Sequence, residues 1–277
     1  MSEAVIVNNA SKHFGKAGQL LWKRLAPAGQ VTPATNDTAP FPAGAPVVAV
    51  NRISFSIREG EILGIVGPKG SSKSTLIRLI ATLLLPDAGT ISVFGHDVVQ
   101  QSIQAQRLLN RVSEESSFFR KLSVMENLVY GARLYGMAGG GDTRARIVEI
   151  LLRLGLDEST IYRPMEGMER SLQQKVAIAR ALIAKPRLLL LDEPTAGLDS
   201  HSRNAVHELV CELNSQYGTT VLLTTRDMNE ANTLCERIAI LSEGSIVALN
   251  VPAFIQPAQR SGSETNLENA FREGIFA

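Results

Sequence analysis

The sequence predicts an α/β fold with a mostly parallel sheet, and three observations carry the prediction. Glu61-Ile62-Leu63-Gly64-Ile65-Val66 is a short apolar stretch that reads as a buried strand, followed by a loop of small residues and then by Leu76–Leu84, apolar at helical spacing. Leu188–Leu191 is a second continuous apolar run, as expected of a strand covered on both faces, and it ends in two carboxylates, Asp192 and Glu193. Around these runs, strand patterns alternate with helical ones.

The 277 residues suffice for one large domain or two small ones with a substantial core. A formal net charge of +1 gives no electrostatic argument for nucleic acid, and none is expected as a partner. Cys211 and Cys235 are the only cysteines and form no metal-ligand pattern, as suits inert thiols in a reducing compartment. No apolar run reaches the length of a membrane span and no apolar signal segment opens the chain, so a cytoplasmic location is expected, with any membrane association through a partner.

In chain order, Ala4–Asn8 reads as a strand and is followed by Ser11-Lys12-His13-Phe14-Gly15. Ala26–Pro46 holds five of the twelve prolines and reads as a flexible insertion. Val47–Val50 and Ile53–Ile57 resume strand patterning, and in the second Ile53, Phe55 and Ile57 alternate with Ser54 and Ser56. Pro86–Gly89 reads as a turn and Thr90–Phe94 as a strand. Residues from about 98 to 172 read as mostly helical, a subdomain inserted between strands. Gln173–Ala184 and Ser202–Gln216 read as helices, Thr220–Thr225 as a buried strand, and Met228–Cys235 as a short helix. Ile238–Leu241 and Ser245–Leu249 close around the turn at Glu243-Gly244. The expected division is a core domain over 4–250 and a polar C-terminal extension over 251–277 with a weak helix at Leu267–Phe271.

The loop is Gly67-Pro68-Lys69-Gly70-Ser71-Ser72-Lys73-Ser74-Thr75. Strand, loop and helix in that order suit a phosphate, which loop amides and the positive helix N-terminus can surround. Lys73 would reach the outer phosphates and the Ser74 hydroxyl would ligate Mg²⁺. A strand-to-helix turn with an incidental lysine has the same local pattern. Asp192 would hold the metal through water, and Glu193 would orient or deprotonate the attacking water. A helix N-cap pair is the structural alternative for those two carboxylates.

Further stretches carry a family resemblance. Leu188–Thr195 followed by Ala196-Gly197-Leu198-Asp199-Ser200 resembles the Walker B segment and D-loop of ATP-binding-cassette ATPases. Gln174–Leu182 is similar to the helix after their signature motif, Leu122–Leu128 to the segment after the Q-loop, and Leu222–Leu241 to the switch strand and its sequel. Order and spacing agree over about residues 4–250, with the flavour of ATPase subunits that serve separate ABC-2-type export permeases. The resemblance implies a P-loop NTPase fold with an N-terminal antiparallel β part, ATP and Mg²⁺ as ligands, and a peripheral position under an integral-membrane permease. It also implies head-to-tail pairing with a second ATPase domain, in a homodimer or a heterodimer. Phe14 would be the adenine-stacking aromatic, with plain core packing as the alternative.

The departures from the family pattern fall on groups that would touch the γ-phosphate. Ser72 stands where the last loop glycine is usual, and a left-handed serine costs roughly 1–2 kcal/mol. Glu114, or Glu115 directly after it if the register shifts by one, takes the place of the Q-loop glutamine as a metal ligand. In the signature region Glu169, Arg170 and Ser171 would face the partner's ATP, and Glu169 brings a like charge. Arg226 replaces the switch histidine; it can hold phosphate charge but cannot shuttle a proton. Lys73, Ser74, Asp192, Glu193 and Asp199 keep the pattern. An ATPase of reduced activity is therefore expected, the alternative being a degenerate subunit that binds ATP with little hydrolysis as half of a heterodimer.

Overall fold

The computed structural model describes residues 2–15, 47–113, 117–137 and 140–251. The expected flexible insertion at 26–46, Glu114 and the weak helix at Leu267–Phe271 lie outside them.

Two sheets frame the fold. The first is antiparallel: β1 (Glu3–Phe14) lies between β2 (Val47–Arg58) and β4 (Ala88–Val93), and a two-residue strand β5 (His96–Asp97) edges β4. The second has the order β10-β9-β3-β8-β7-β6, with β3 (Ile62–Val66), β6 (Leu109–Val112), β7 (Leu188–Asp192), β8 (Thr220–Thr225) and β9 (Arg237–Ser242) parallel. Only β10 (Ser245–Val251) runs antiparallel there, against β9.

The apolar runs of β3, β7 and β8 are continuous because each strand feeds two cores. Leu63, Ile65, Leu188, Leu190 and Leu222 enter the core shared with β1, β2, β4 and helix α1 (Lys73–Ile80). Their neighbours Ile62, Val66, Leu189, Leu191, Val221 and Leu223 enter the other core, which holds α3 (Val124–Leu134), α4 (Gly141–Arg153), α6 (Arg170–Ile183) and α7 (Ser200–Tyr217). Alternate side chains of a strand point to opposite faces, so no polar residue interrupts these runs. Short helices α2 (Ser102–Gln106), α5 (Glu158–Ile161) and α8 (Met228–Leu234) complete the elements among the described residues.

The expected α/β class with a mostly parallel sheet is present. The interval 98–172 needs a correction: β5 extends to its edge, and after the short helix α2 strand β6 lies inside it as the outer strand of the parallel sheet, so the continuous helical part starts at α3. Leu109-Asn110-Arg111-Val112 is too short to show a period, and its buried Asn110 reads as non-strand. The Asn110 side-chain nitrogen instead donates to the Ala181 carbonyl at 3.0 Å, which gives that donor a partner inside the fold. Strand β4 also starts earlier than the sequence suggests, at Ala88, because Ser11 and Asn8 of β1 pair with it from there. Helix α1 covers Lys73–Ile80 rather than Leu76–Leu84, and Thr82 beyond it turns left-handed at φ 63°.

Candidate ATP site

The parallel sheet gathers the candidate residues at the C-terminal ends of β3, β7 and β8, which lie side by side. In open α/β sheets this edge is where ligands bind. The loop leaves β3 through Gly67, where an added Cβ would run into the Leu241 carbonyl oxygen, so glycine is required by close packing. Pro68 is half-buried, Lys69 and Gly70 are exposed, and the chain returns at buried Ser71.

Ser72, half-buried, occupies the helix N-cap with φ 75° and ψ 19° and makes no side-chain capping bond. It takes the left-handed conformation that the missing glycine would supply freely, at roughly 1–2 kcal/mol. Helix α1 begins at Lys73 with no acidic residue of its own in its first turn, so its positive end is left to groups from elsewhere in the fold or to an anion. Thr75 is half-buried in that turn.

Lys73, 5% exposed, turns back over the loop: its ammonium donates to the carbonyls of Gly67 (2.6 Å) and Pro68 (3.0 Å) and pairs with Glu193 Oε1 at 3.3 Å. Burial pulls its pKa below the ordinary lysine value, with Glu193 acting in the opposite direction. The Ser74 hydroxyl donates to Asp192 Oδ1 at 3.1 Å, and the Thr224 hydroxyl of β8 donates to the same oxygen at 2.8 Å. Asp192 therefore presents a carboxylate oriented from both sides.

Glu193 follows with φ 49°, another left-handed non-glycine, and its amide donates to the Thr224 carbonyl at 2.9 Å. Arg226, one residue past β8, brings Nε to 3.2 Å from Glu193 Oε1. Lys73, Ser74, Asp192, Glu193 and Arg226 thus meet in one connected polar group.

The signature-region residues lie beside this group. Glu169 is exposed at the N-cap of α6 and makes no capping bond with its side chain. Arg170, Ser171 and Gln174 of α6 line a groove together with Glu193, Ala196 and Gly197. Gln174 Nε2 also donates to the Pro194 carbonyl at 3.1 Å, tying α6 to the segment after β7.

Asp199 caps α7, accepting from the Ser202 amide (2.9 Å) and hydroxyl (2.7 Å), and Lys175 approaches to 3.5 Å. Those two Ser202 bonds, with the Lys175 charge, hold its carboxyl far below the ordinary range. Phe14 ends β1, half-buried, with the Lys12 ammonium 5.9 Å from its ring centre. Glu114 falls outside the described residues.

Two residues near the site escape a reading of the sequence. Glu230 and His207 form a buried polar cluster with Thr195 and Thr225. The available signal was Glu230's place beside Ala231 and Leu234, on the inward face of α8, where a carboxylate needs partners.

Among the described residues no cluster of three or more His, Cys, Asp or Glu could hold a metal by itself, and no helix is long and apolar enough to cross a membrane. A hydroxyl and a carboxylate converging as Ser74 and Asp192 do supply hard oxygen donors, which suits Mg²⁺ completed by phosphate and water.

Comparison with known proteins agrees with this geometry. Residues 50–196 match the ABC transporter family. The linearmycin resistance ATP-binding protein LnrL of Bacillus subtilis is 34% identical over 219 residues, 79% of this chain and 69% of that protein. The daunorubicin/doxorubicin resistance ATP-binding protein DrrA of Streptomyces peucetius is 39% identical over 200 residues, 72% of this chain but only 60% of that protein. The dimeric post-hydrolysis structure of the ATP-binding cassette MJ0796, bound to ADP and Pi, superposes with a TM-score of 0.72 at 26% identity, covering 88% of this chain and 97% of that one. With a phosphate loop, a paired carboxylate strand end and more than half its length matched, the chain belongs to the ABC transporter family as an ATP-binding domain.

Proposed function

We propose that this chain is the ATP-hydrolysing subunit of an ABC-2-type exporter, coupled to a separate membrane permease and to a second ATPase domain. One observation carries the reading: Glu193 and Arg226 meet at 3.2 Å beside Lys73, Ser74 and Asp192, at the sheet edge where the phosphate loop opens. The export direction is supported by the relatives LnrL and DrrA, both named as resistance proteins. Pairing is supported by the dimeric MJ0796 cassette.

In this reading Gly67–Thr75 cradles the polyphosphate of ATP through loop amides, and Lys73 exchanges its carbonyl partners for phosphate oxygens. Phe14 stacks on the adenine. Ser74, Asp192 (through water) and Glu114 would hold Mg²⁺, which would supply neutralisation of the phosphate charge. Glu193 accepts the proton of the attacking water, and Arg226 donates to the γ-phosphate while orienting Glu193. Glu169, Arg170 and Ser171 face the nucleotide of the partner domain, and Asp199 fixes the D-loop by capping α7. In a head-to-tail pair each site would combine one chain's Lys73 and Glu193 with the other chain's α6 N-terminus. The complex would lie on the cytoplasmic side of the membrane.

Keeping Glu193 is what separates this reading from a subunit that only binds nucleotide. The test is Mg²⁺-dependent ATP binding and hydrolysis by the purified chain beside Glu193→Gln. Turnover that disappears in Glu193→Gln while binding persists is the expected result. Binding without turnover in the wild type would overturn it.

A further inference from the structure

Glu230 is 3% exposed on α8 and has no place in the phosphate chemistry above. Its Oε2 accepts from the Thr225 hydroxyl at 2.6 Å and its Oε1 from the Thr195 hydroxyl at 2.6 Å. His207 of α7 places Nε2 3.3 Å from the same Oε1. Burial pushes the Glu230 carboxyl up, but the bonds from His207, Thr195 and Thr225 outweigh it and keep the group below the ordinary glutamate value.

The partners explain why the arrangement matters. Thr195 stands two residues after Glu193, and Thr225 immediately precedes Arg226. Thr225 Oγ1 also accepts the Asp227 amide at 3.0 Å, so the bond network continues around the turn that carries Arg226. Glu193 itself is held in a left-handed conformation, φ 49°, which a non-glycine residue keeps only when its surroundings impose it. Gln174 restrains the Pro194 carbonyl from the α6 side; Glu230 restrains the next residue from the α8 side. A buried carboxylate is a poor choice for stability alone, since apolar packing of the same volume commonly does as well or better.

We propose that Glu230 is a positioning residue for ATP hydrolysis: it clamps the exits of β7 and β8 together, so that Glu193 and Arg226 address the same phosphate. His207 completes the clamp from α7. The inference rests on the ATPase reading of the site and names a residue that acts on it without touching substrate.

The test uses the purified full chain and compares wild type, Glu230→Gln, Glu230→Ala and Thr195→Val, each below its own melting temperature. Three quantities are read: kcat, affinity for Mg-ATP, and amide hydrogen exchange of segments 193–197 and 225–228. The expected result is a kcat lowered about 10- to 100-fold in Glu230→Ala, and less in Thr195→Val, with nucleotide affinity within about threefold of wild type. Exchange should rise in both segments together, and Glu230→Gln, which keeps the shape and two of the contacts, should restore most of the rate. A cluster that only stabilises the fold would lower the melting temperature yet leave kcat per folded molecule and the exchange of both segments unchanged; that outcome overturns the proposal. Should Glu230→Ala fail to fold, Thr195→Val and Glu230→Gln decide it. Should the wild type hydrolyse no ATP, the functional reading fails, and the paired exchange response alone decides whether Glu230 is the clamp.

Discussion

Arg226 Nε stands 3.2 Å from Glu193 Oε1, the oxygen that Lys73 also approaches, at 3.3 Å. In the proposed reading this guanidinium at the end of β8 takes the place of the family's switch histidine, and it pairs with the carboxylate expected to activate water. Arginine keeps its charge at every working pH, whereas histidine titrates near 6.5. Arg226→Ala is expected to lower kcat about tenfold or more with little change in nucleotide affinity. Arg226→His is expected to retain turnover and to acquire a pH dependence centred near 6.5 that the wild type lacks. Rate profiles from pH 5.5 to 8.5 for the three proteins check this, and superimposable profiles would sink the assignment.

Ser72→Gly isolates the cost of the left-handed N-cap. Relief of roughly 1–2 kcal/mol of strain is partly offset by roughly 0.5–1 kcal/mol of added chain entropy. The Ser72 side chain makes no capping bond, so no cap is lost. The variant should be more stable by about 0.5–1 kcal/mol in urea denaturation, and should bind Mg-ATP more tightly because the Cβ no longer crowds the phosphate path. A destabilised variant would show that Ser72 contributes a contact outweighing its strain.

Lys73 ties stability to alkaline pH. Because burial lowers its pKa from 10.5 in the folded chain, the folded state sheds this proton before the unfolded state does. The unfolded chain then binds more protons, and stability rises with pH up to the unfolded value. Compared with Lys73→Met, the wild type should gain unfolding free energy as pH climbs toward 10.5. Paired denaturation curves at several alkaline pH values measure the slope, and a flat difference contradicts the burial argument.

Asp87 behaves in the opposite sense at acid pH. It receives Lys12 Nζ at 2.9 Å and the His13 amide at 2.7 Å, fastening the end of β1 to the start of β4. Burial raises its pKa, but those bonds outweigh it and the net shift is below 3.8. Its stabilisation is present above the ordinary aspartate value and is lost as pH falls through the lower folded one. The side chain is 40% exposed, so Asp87→Asn should cost only about 0.2–1 kcal/mol at neutral pH. The difference from wild type should vanish in strong acid, which denaturation at several acid pH values tests.

What the sequence alone determined is local. Gly67–Thr75 reads as a phosphate loop because the small residues, the strand before it and the helix after it are contiguous in the chain. Leu188–Leu191 reads as a buried strand ending in Asp192 and Glu193 for the same reason. Ser72 and Arg226 are visible as departures because each interrupts a contiguous pattern.

The tertiary structure decided what depends on distant pairing. Leu109–Val112 is a strand because β7 supplies its hydrogen bonds and the Ala181 carbonyl accepts from the Asn110 side-chain nitrogen; no periodicity in four residues could show that. Glu230 is functional in this reading because Thr195, Thr225 and His207, from three other places in the chain, converge on one buried carboxylate. Residue type and spacing encode what neighbours in sequence can do, whereas the desolvation and pairing of a charge are set by whatever the fold packs against it.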